Sequence, residues 1–243
     1  MDGYLFLLII AMALPGVSFM ILSERKIIKE RNSGEDEYPI YVGFLVHLLI
    51  VSLFAGIGVL LLDKTSFSLN EINFISIGVG VVVAVVHLLY YYGFLAKNVE
   101  KEVLLKIDTA RNQLGILTRV FYGGVVEEII FRWGLMSLVI WLGSFVFGAS
   151  DTLNWCANVL AAVFFGLAHL PGAKQILGKN IPIITIYSML MNFLVGIACG
   201  WLFLNAGLIG AIVCHMLFHI VWYAYERIMR KDNRITNSIE LTK

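Results

Sequence analysis

The sequence predicts an all-α fold, a polytopic membrane helix bundle of about seven transmembrane helices with the N-terminus out and the C-terminus cytoplasmic. Three observations predict it. Of 243 residues, 59% are hydrophobic and 14% charged, roughly double the apolar-to-charged ratio of a soluble domain. Charged or Gly/Pro-rich breaks divide the apolar residues into seven runs, most of them near the ~20 residues that cross a hydrocarbon core as helix. Finally, Lys and Arg alternate between sparse and dense from one connection to the next. The same composition excludes a disordered or collagen-like chain, and a net charge of +1 leaves no basic field for nucleic acid.

The runs are residues 4–22, 40–62, 72–96, 116–142, 155–169, 182–204 and 208–225. The first contains Ala11, Met12 and Ala13, which suit a signal-peptidase site. No Lys or Arg precedes it and the apolar run continues past Pro15, so an uncleaved helix is expected. The first connection holds Arg25, Lys26, Lys29 and Arg31, and the second Lys64 alone. The third holds Lys97, Lys101, Lys106, Arg111 and Arg119, the fifth Lys174 and Lys179, and the tail Arg227, Arg230, Lys231, Arg234 and Lys243. Odd connections plus tail thus carry sixteen basic residues and even connections one, and the basic side is the cytoplasmic one.

Residues 97–118 are the longest polar stretch between runs, with Val99, Val103, Leu104 and Ile107 at helical spacing. They predict either an interfacial amphipathic helix or a solvated extension of a neighbouring span. No internal repeat or long linker appears, so residues 1–243 read as a single membrane-embedded domain. Cys156, Cys199 and Cys214 are odd in number and form no C-x-x-C, which makes them small packing residues.

Charges inside the runs are concentrated in the fourth, where Glu127, Glu128 and Arg132 would together cost roughly 8–10 kcal/mol if unpaired in hydrocarbon. Glu128 and Arg132 are i,i+4 in the favourable order and are expected to pair. Glu127 points about 100° away, so its partner must come from another span. The remaining polar candidates are His169, ending the fifth run, and His215 and His219, one turn apart in the seventh. The fifth helix is expected to stop at Pro171-Gly172, short of a full crossing, which would leave His169 facing a polar cavity. His47 and His87 have no acidic neighbour at helical spacing and read as helix-packing histidines satisfied by a backbone carbonyl or Ser/Thr. Asn192 is a possible cavity residue, with helix packing the favoured role.

A buried carboxylate beside histidines suits general-base hydrolysis. Glu127, His169, His215 and His219 also match a zinc ligand set, with the metal activating a bound water. The same residues could form a proton relay in a transporter. Composition and spacing do not choose among these. A transporter of the inverted-repeat kind predicts duplicated halves, which the sequence lacks.

Taken in order, Glu127-Glu128-x-x-x-Arg132, Phe165-x-x-x-His169, the small-residue helix Gly196-x-x-x-Gly200 and His215 in a last span resemble the CPBP family. That family contains the type II CAAX prenyl endopeptidases and bacterial bacteriocin-processing or self-immunity proteins. The resemblance covers residues 118–225, read as the catalytic core. It implies an intramembrane endopeptidase in a cell membrane, bacterial by the bacteriocin-related members, acting on a peptide or lipidated peptide among membrane lipids. By the same resemblance Glu127 is the catalytic glutamate, His169 its partner in activating water, His215 an oxyanion-stabilising histidine, and Glu128 with Arg132 the ordering pair. Four residues after the last family histidine, characterised members carry an asparagine; here His219 stands. The family has been described both as metal-dependent and as glutamate-dependent without metal, so a divalent metal such as zinc stays open. The alternative function is a non-catalytic immunity or binding protein.

Overall fold

The computed structural model describes residues 2–31, 39–65, 68–69 and 72–240, with side chains as far as residue 229 except that of residue 31. The side chains of Arg31, Arg230, Lys231, Arg234 and Lys243, part of the basic count, lie outside the described residues. Among the described residues the regular structure is helical throughout. The helices are α1 (Gly3–Arg31), α2 (Ile40–Thr65), α3 (Phe74–Tyr90), α4 (Ala96–Asn98), α5 (Lys101–Thr118), α6 (Ser137–Phe147), α7 (Asp151–Leu177) and α8 (Pro182–Glu240). Three π-helical segments interrupt them: Tyr91–Leu95 between α3 and α4, then Arg119–Val126 and Ile129–Met136 between α5 and α6.

Six helices among the described residues are long and apolar enough to cross a membrane. The last, Pro182–Met229, is 48 residues long, about 70 Å of helix if straight. It is not straight: Gly207 has φ 71° and ψ −174°, a conformation essentially confined to glycine. The bend divides α8 into limbs of residues 182–206 and 208–240, corresponding to the sixth and seventh runs. It also frees N–H groups that the second limb would leave unpaired. Leu208 and Ile209 donate theirs to the carbonyls of Ser68 and Leu69 at 3.1 and 3.0 Å.

Two expectations are corrected. Pro171-Gly172 does not end the fifth helix, because α7 runs on to Leu177 and stops at Gly178, whose φ is 70° and whose N–H caps Lys174. A proline removes one backbone bond, and Ala173, Lys174, Gln175 and Leu177 are strong helix formers that resume the ladder. The polar stretch is not a straight extension of the fourth span. Gly115, at φ 74° and ψ 166°, breaks α5 away from the fourth span. Val99, Val103, Leu104 and Ile107 then pack on Tyr91, Leu95, Ile184 and Tyr187, so the apolar stripe of α5 meets protein.

The bundle is centred on α8, which packs most extensively on α7 and α3. Close approach needs small residues where no water drives helices together. A Cβ at Gly196 would stand 2.8 Å from that of Ala162, and one at Gly200 would overlap the Asn158 amide. Asn158 Nδ2 donates to the Ile197 carbonyl at 3.2 Å, and Trp133 Nε1 donates to that of Ala55 at 3.2 Å against Gly58. The outward faces carry Leu49, Phe74 and Phe145, as a lipid-facing surface requires.

Candidate active site

The two π segments of the fourth span position the acidic pair. Each π turn is wider than an α turn and shifts the side-chain register locally. The Glu127 N–H reaches back five residues to the Tyr122 carbonyl. Gly123 and Gly124 lie in the same segment, and a Cβ at Gly123 would stand 2.6 Å from His219 Nε2, while one at Gly124 would overlap Met216. The glycine pair therefore lets the second limb of α8 settle directly on the span that carries the glutamates.

That approach brings His215 to Glu128. The Nδ1–H of His215 donates to Glu128 Oε1 at 2.6 Å, and Arg132 Nη1 donates to the same oxygen at 3.0 Å. Arg132 Nη2 donates to the Gly196 carbonyl at 2.9 Å, and its guanidinium lies over the Phe165 ring at 4.8 Å. Glu128 and Arg132 are fully buried and His215 nearly so. The pair expected from i,i+4 spacing is thus present, and it is also the support on which His215 rests.

Glu127 finds its partner on α7, as its direction around the helix requires. Its Oε1 is 3.8 Å from His169 Nε2. His169 Nδ1–H donates to the Phe165 carbonyl at 2.8 Å. Since a carbonyl can only accept, a neutral ring then presents its Nε2 lone pair to Glu127. Two acceptors at that separation suit a water that donates one O–H to each.

Glu127, His169, His215 and His219 line one cavity of about 280 Å³. Asn192 lines it too, and its Nδ2 donates to the Ser188 carbonyl at 2.8 Å. The rings of His215 and His219 stack at 5.0 Å, and His219 Nδ1 is buried with no hydrogen-bond partner among the described residues.

Of the four residues that match a zinc ligand set in sequence, the fold gathers His215 alone into a close group of potential donors. Among the described residues, the group of three potential ligands within 4.8 Å of one another is Glu128, Cys199 and His215. There Glu128 Oε1 already accepts from both Arg132 and His215, and a metal cation would sit against the guanidinium. Glu127, His169 and His219 are not part of that group, so the residues present do not fit a metal.

Sequence reasoning missed several partners. His47 is satisfied by side chains of other helices: Nδ1 is 2.8 Å from the Tyr122 hydroxyl and Nε2 is 3.5 Å from Glu24 Oε1. His87 Nε2 is 2.9 Å from the Tyr187 hydroxyl, and its ring packs on Trp222. Arg111 and Arg119, counted as loop charges, converge on buried Glu226 at 2.6 and 3.1 Å and stack on Trp222 at 4.3 and 4.9 Å. Arg111 also pairs with Asp108. A carboxylate at the end of an apolar run, Glu226 after Tyr225, was the available signal.

Comparison with protein families finds that residues 110–221 match the model described as type II CAAX prenyl endopeptidase Rce1-like. That segment contains Glu127, Glu128, Arg132, His169, His215 and His219. No curated protein and no solved structure gave a significant match.

Proposed function

We propose that this multi-pass membrane protein, which carries an Rce1-like domain, is an intramembrane endopeptidase. It hydrolyses membrane-associated or CAAX-like peptides with water activated by Glu127 and His169. The observation that carries the reading is the meeting of Glu127 and His169 at 3.8 Å on the wall of the cavity that His215 and His219 also line. Nothing local brings together residues so far apart in sequence, and each ionisable group in hydrocarbon has a cost that a functional site explains.

The steps follow from the atoms. A water held between Glu127 and His169 gives a proton to the Glu127 carboxylate as its oxygen bonds to the peptide carbonyl carbon, and the carbonyl π pair moves onto oxygen. His219, one turn from the His215 that Glu128 fixes at Nδ1, is placed to donate to that oxyanion, and His215 joins it from Nε2 when both of its ring nitrogens carry protons. The proton then passes to the amide nitrogen as the C–N bond breaks, giving a carboxylate and an amine. Glu128 and Arg132 touch no substrate and act by holding His215.

The test is cleavage by the purified protein in liposomes of two quenched fluorogenic peptides, one ending in a farnesylated CAAX sequence and one in its unprenylated counterpart. Products mapped by mass spectrometry in ¹⁸O-water should carry the label in the new carboxylate. Failure to cleave either peptide would overturn the reading.

A further inference from the structure

The geometry points to Tyr122 as a further catalytic residue, whose hydroxyl, held by His47 with Glu24 behind it, donates a hydrogen bond to the carbonyl oxygen under attack. The inference rests on the endopeptidase reading above. It concerns a side chain that neither the family resemblance nor the acidic and histidine pattern singles out.

Tyr122 is placed by the same π segment that places Glu127. The Tyr122 carbonyl accepts the Glu127 N–H, and residues five apart across a π turn lie on one side of the helix. Both side chains line the 280 Å³ cavity. The Tyr122 hydroxyl is held by a side chain, with its oxygen 2.8 Å from His47 Nδ1 and the two rings edge to face at 87°. Behind it, His47 Nε2 is 3.5 Å from Glu24 Oε1. Glutamate, histidine and tyrosine thus form one chain running from α1 through α2 to the wall of the site.

That chain sets the position of the hydroxyl. Each ring nitrogen of His47 faces an oxygen, a carboxylate on one side and a phenol on the other, so the phenol oxygen is held whether Nδ1 donates to it or accepts from it. Where Nδ1 carries the proton the Tyr122 oxygen accepts from it and its own O–H turns into the cavity; where Nδ1 is bare, the O–H rotates from His47 to the substrate oxygen as the peptide enters. A donor fixed in position before reaction stabilises developing charge with little reorganisation. When water adds to the carbonyl carbon and Glu127 takes the proton, the electron pair arriving on oxygen meets the Tyr122 O–H. Collapse returns the pair to carbon, the C–N bond breaks, and the tyrosine keeps its proton throughout.

The chain also accounts for a second cavity. His47 and Glu24 border a space of about 460 Å³ whose walls share Met20, Leu114 and Ile176 with the catalytic cavity. The Tyr122–His47 hydrogen bond spans the partition between the two. Glu24 and His47 lie outside the matched residues 110–221, so the first two helices contribute to the chemistry as well as to packing.

Kinetics on the two fluorogenic peptides decide it. Tyr122→Phe keeps the ring and removes only the oxygen, and should lower kcat by about 10²-fold, the loss typical of one oxyanion donor, with KM within about threefold and thermal midpoint unchanged. His47→Ala should lower kcat in the same direction. His47→Asn, which places an amide N–H where Nδ1 stands, should recover a substantial part, and Tyr122→Phe combined with His47→Ala should fall little below Tyr122→Phe alone. A Tyr122→Phe protein with wild-type kcat, with a loss confined to KM, or with a loss matched by a lower thermal midpoint would overturn the assignment. If Tyr122→Phe is fully active while Glu127→Gln is inactive, this inference alone fails. If Glu127→Gln remains active, or the wild-type protein cleaves neither peptide, the reading beneath it fails as well.

Discussion

Glu128 is the residue on which Arg132 and His215 converge, and loss of a partner should separate support from chemistry. With its Oε1 accepting from Arg132 and His215 in full burial, removing one partner leaves a charge in hydrocarbon without its mate. Arg132→Ala is therefore expected to cost about 3–5 kcal/mol of stability, read as a lowered thermal midpoint in detergent. An unchanged midpoint would show that the pair is not structural. Glu226 makes the parallel case, since it stands between Arg111 and Arg119; Glu226→Ala should destabilise by a similar amount, while an exposed pair such as Glu102 and Lys106 should contribute under 1 kcal/mol. The two clusters differ in how far sequence disclosed them. Glu127, Glu128 and Arg132 announce themselves because charges inside an apolar run demand a reason. Arg111 and Arg119 sit in a polar stretch where a cation needs none, and only the fold shows them buried. The hydrogen bond from His215 to Glu128 was equally out of reach, because it joins residues 87 apart through a π register that periodicity does not reveal.

Among the elements, the breaks were harder to read than the helices. Apolar runs give the spans because their lengths must match the hydrocarbon, whereas a proline or glycine acts only through context. Pro171 fails to stop α7, while Gly115 and Gly207 do break theirs, since φ of 74° and 71° cannot be continued by an L-residue without strain. Gly207→Ala should therefore cost about 1–3 kcal/mol, measured as a drop in thermal midpoint, although the first limb and the second keep their sequences. The small face of α8 predicts a second effect. Gly200→Leu would drive its side chain into Asn158 and separate α8 from α7, which holds His169. Cleavage should fall by at least tenfold together with stability, and a fully active Gly200→Leu protein would show that this contact does not position the site.

Across the whole molecule, the seven apolar runs correspond to the six long helices once the bend at Gly207 divides the last. Which helices touch was not legible, because lipid-facing and core-facing residues are both apolar and the contrast that identifies a soluble core is missing. Sidedness is a prediction from charge alone: sixteen basic residues in the odd connections and tail against one in the even connections predict an N-terminus outside and a C-terminus in the cytoplasm. Reporter fusions after residue 229 should report a cytoplasmic tail, and a periplasmic or extracellular signal there would reverse the assignment. The central claim is that Glu127 generates the nucleophile. It is tested most directly by single-turnover cleavage of the fluorogenic peptides by Glu127→Gln in liposomes, with peptide binding measured alongside. The account predicts wild-type binding with the rate reduced by at least 10²-fold, the low end of what a positioned general base contributes; a Glu127→Gln protein that binds and cleaves at the wild-type rate would contradict it.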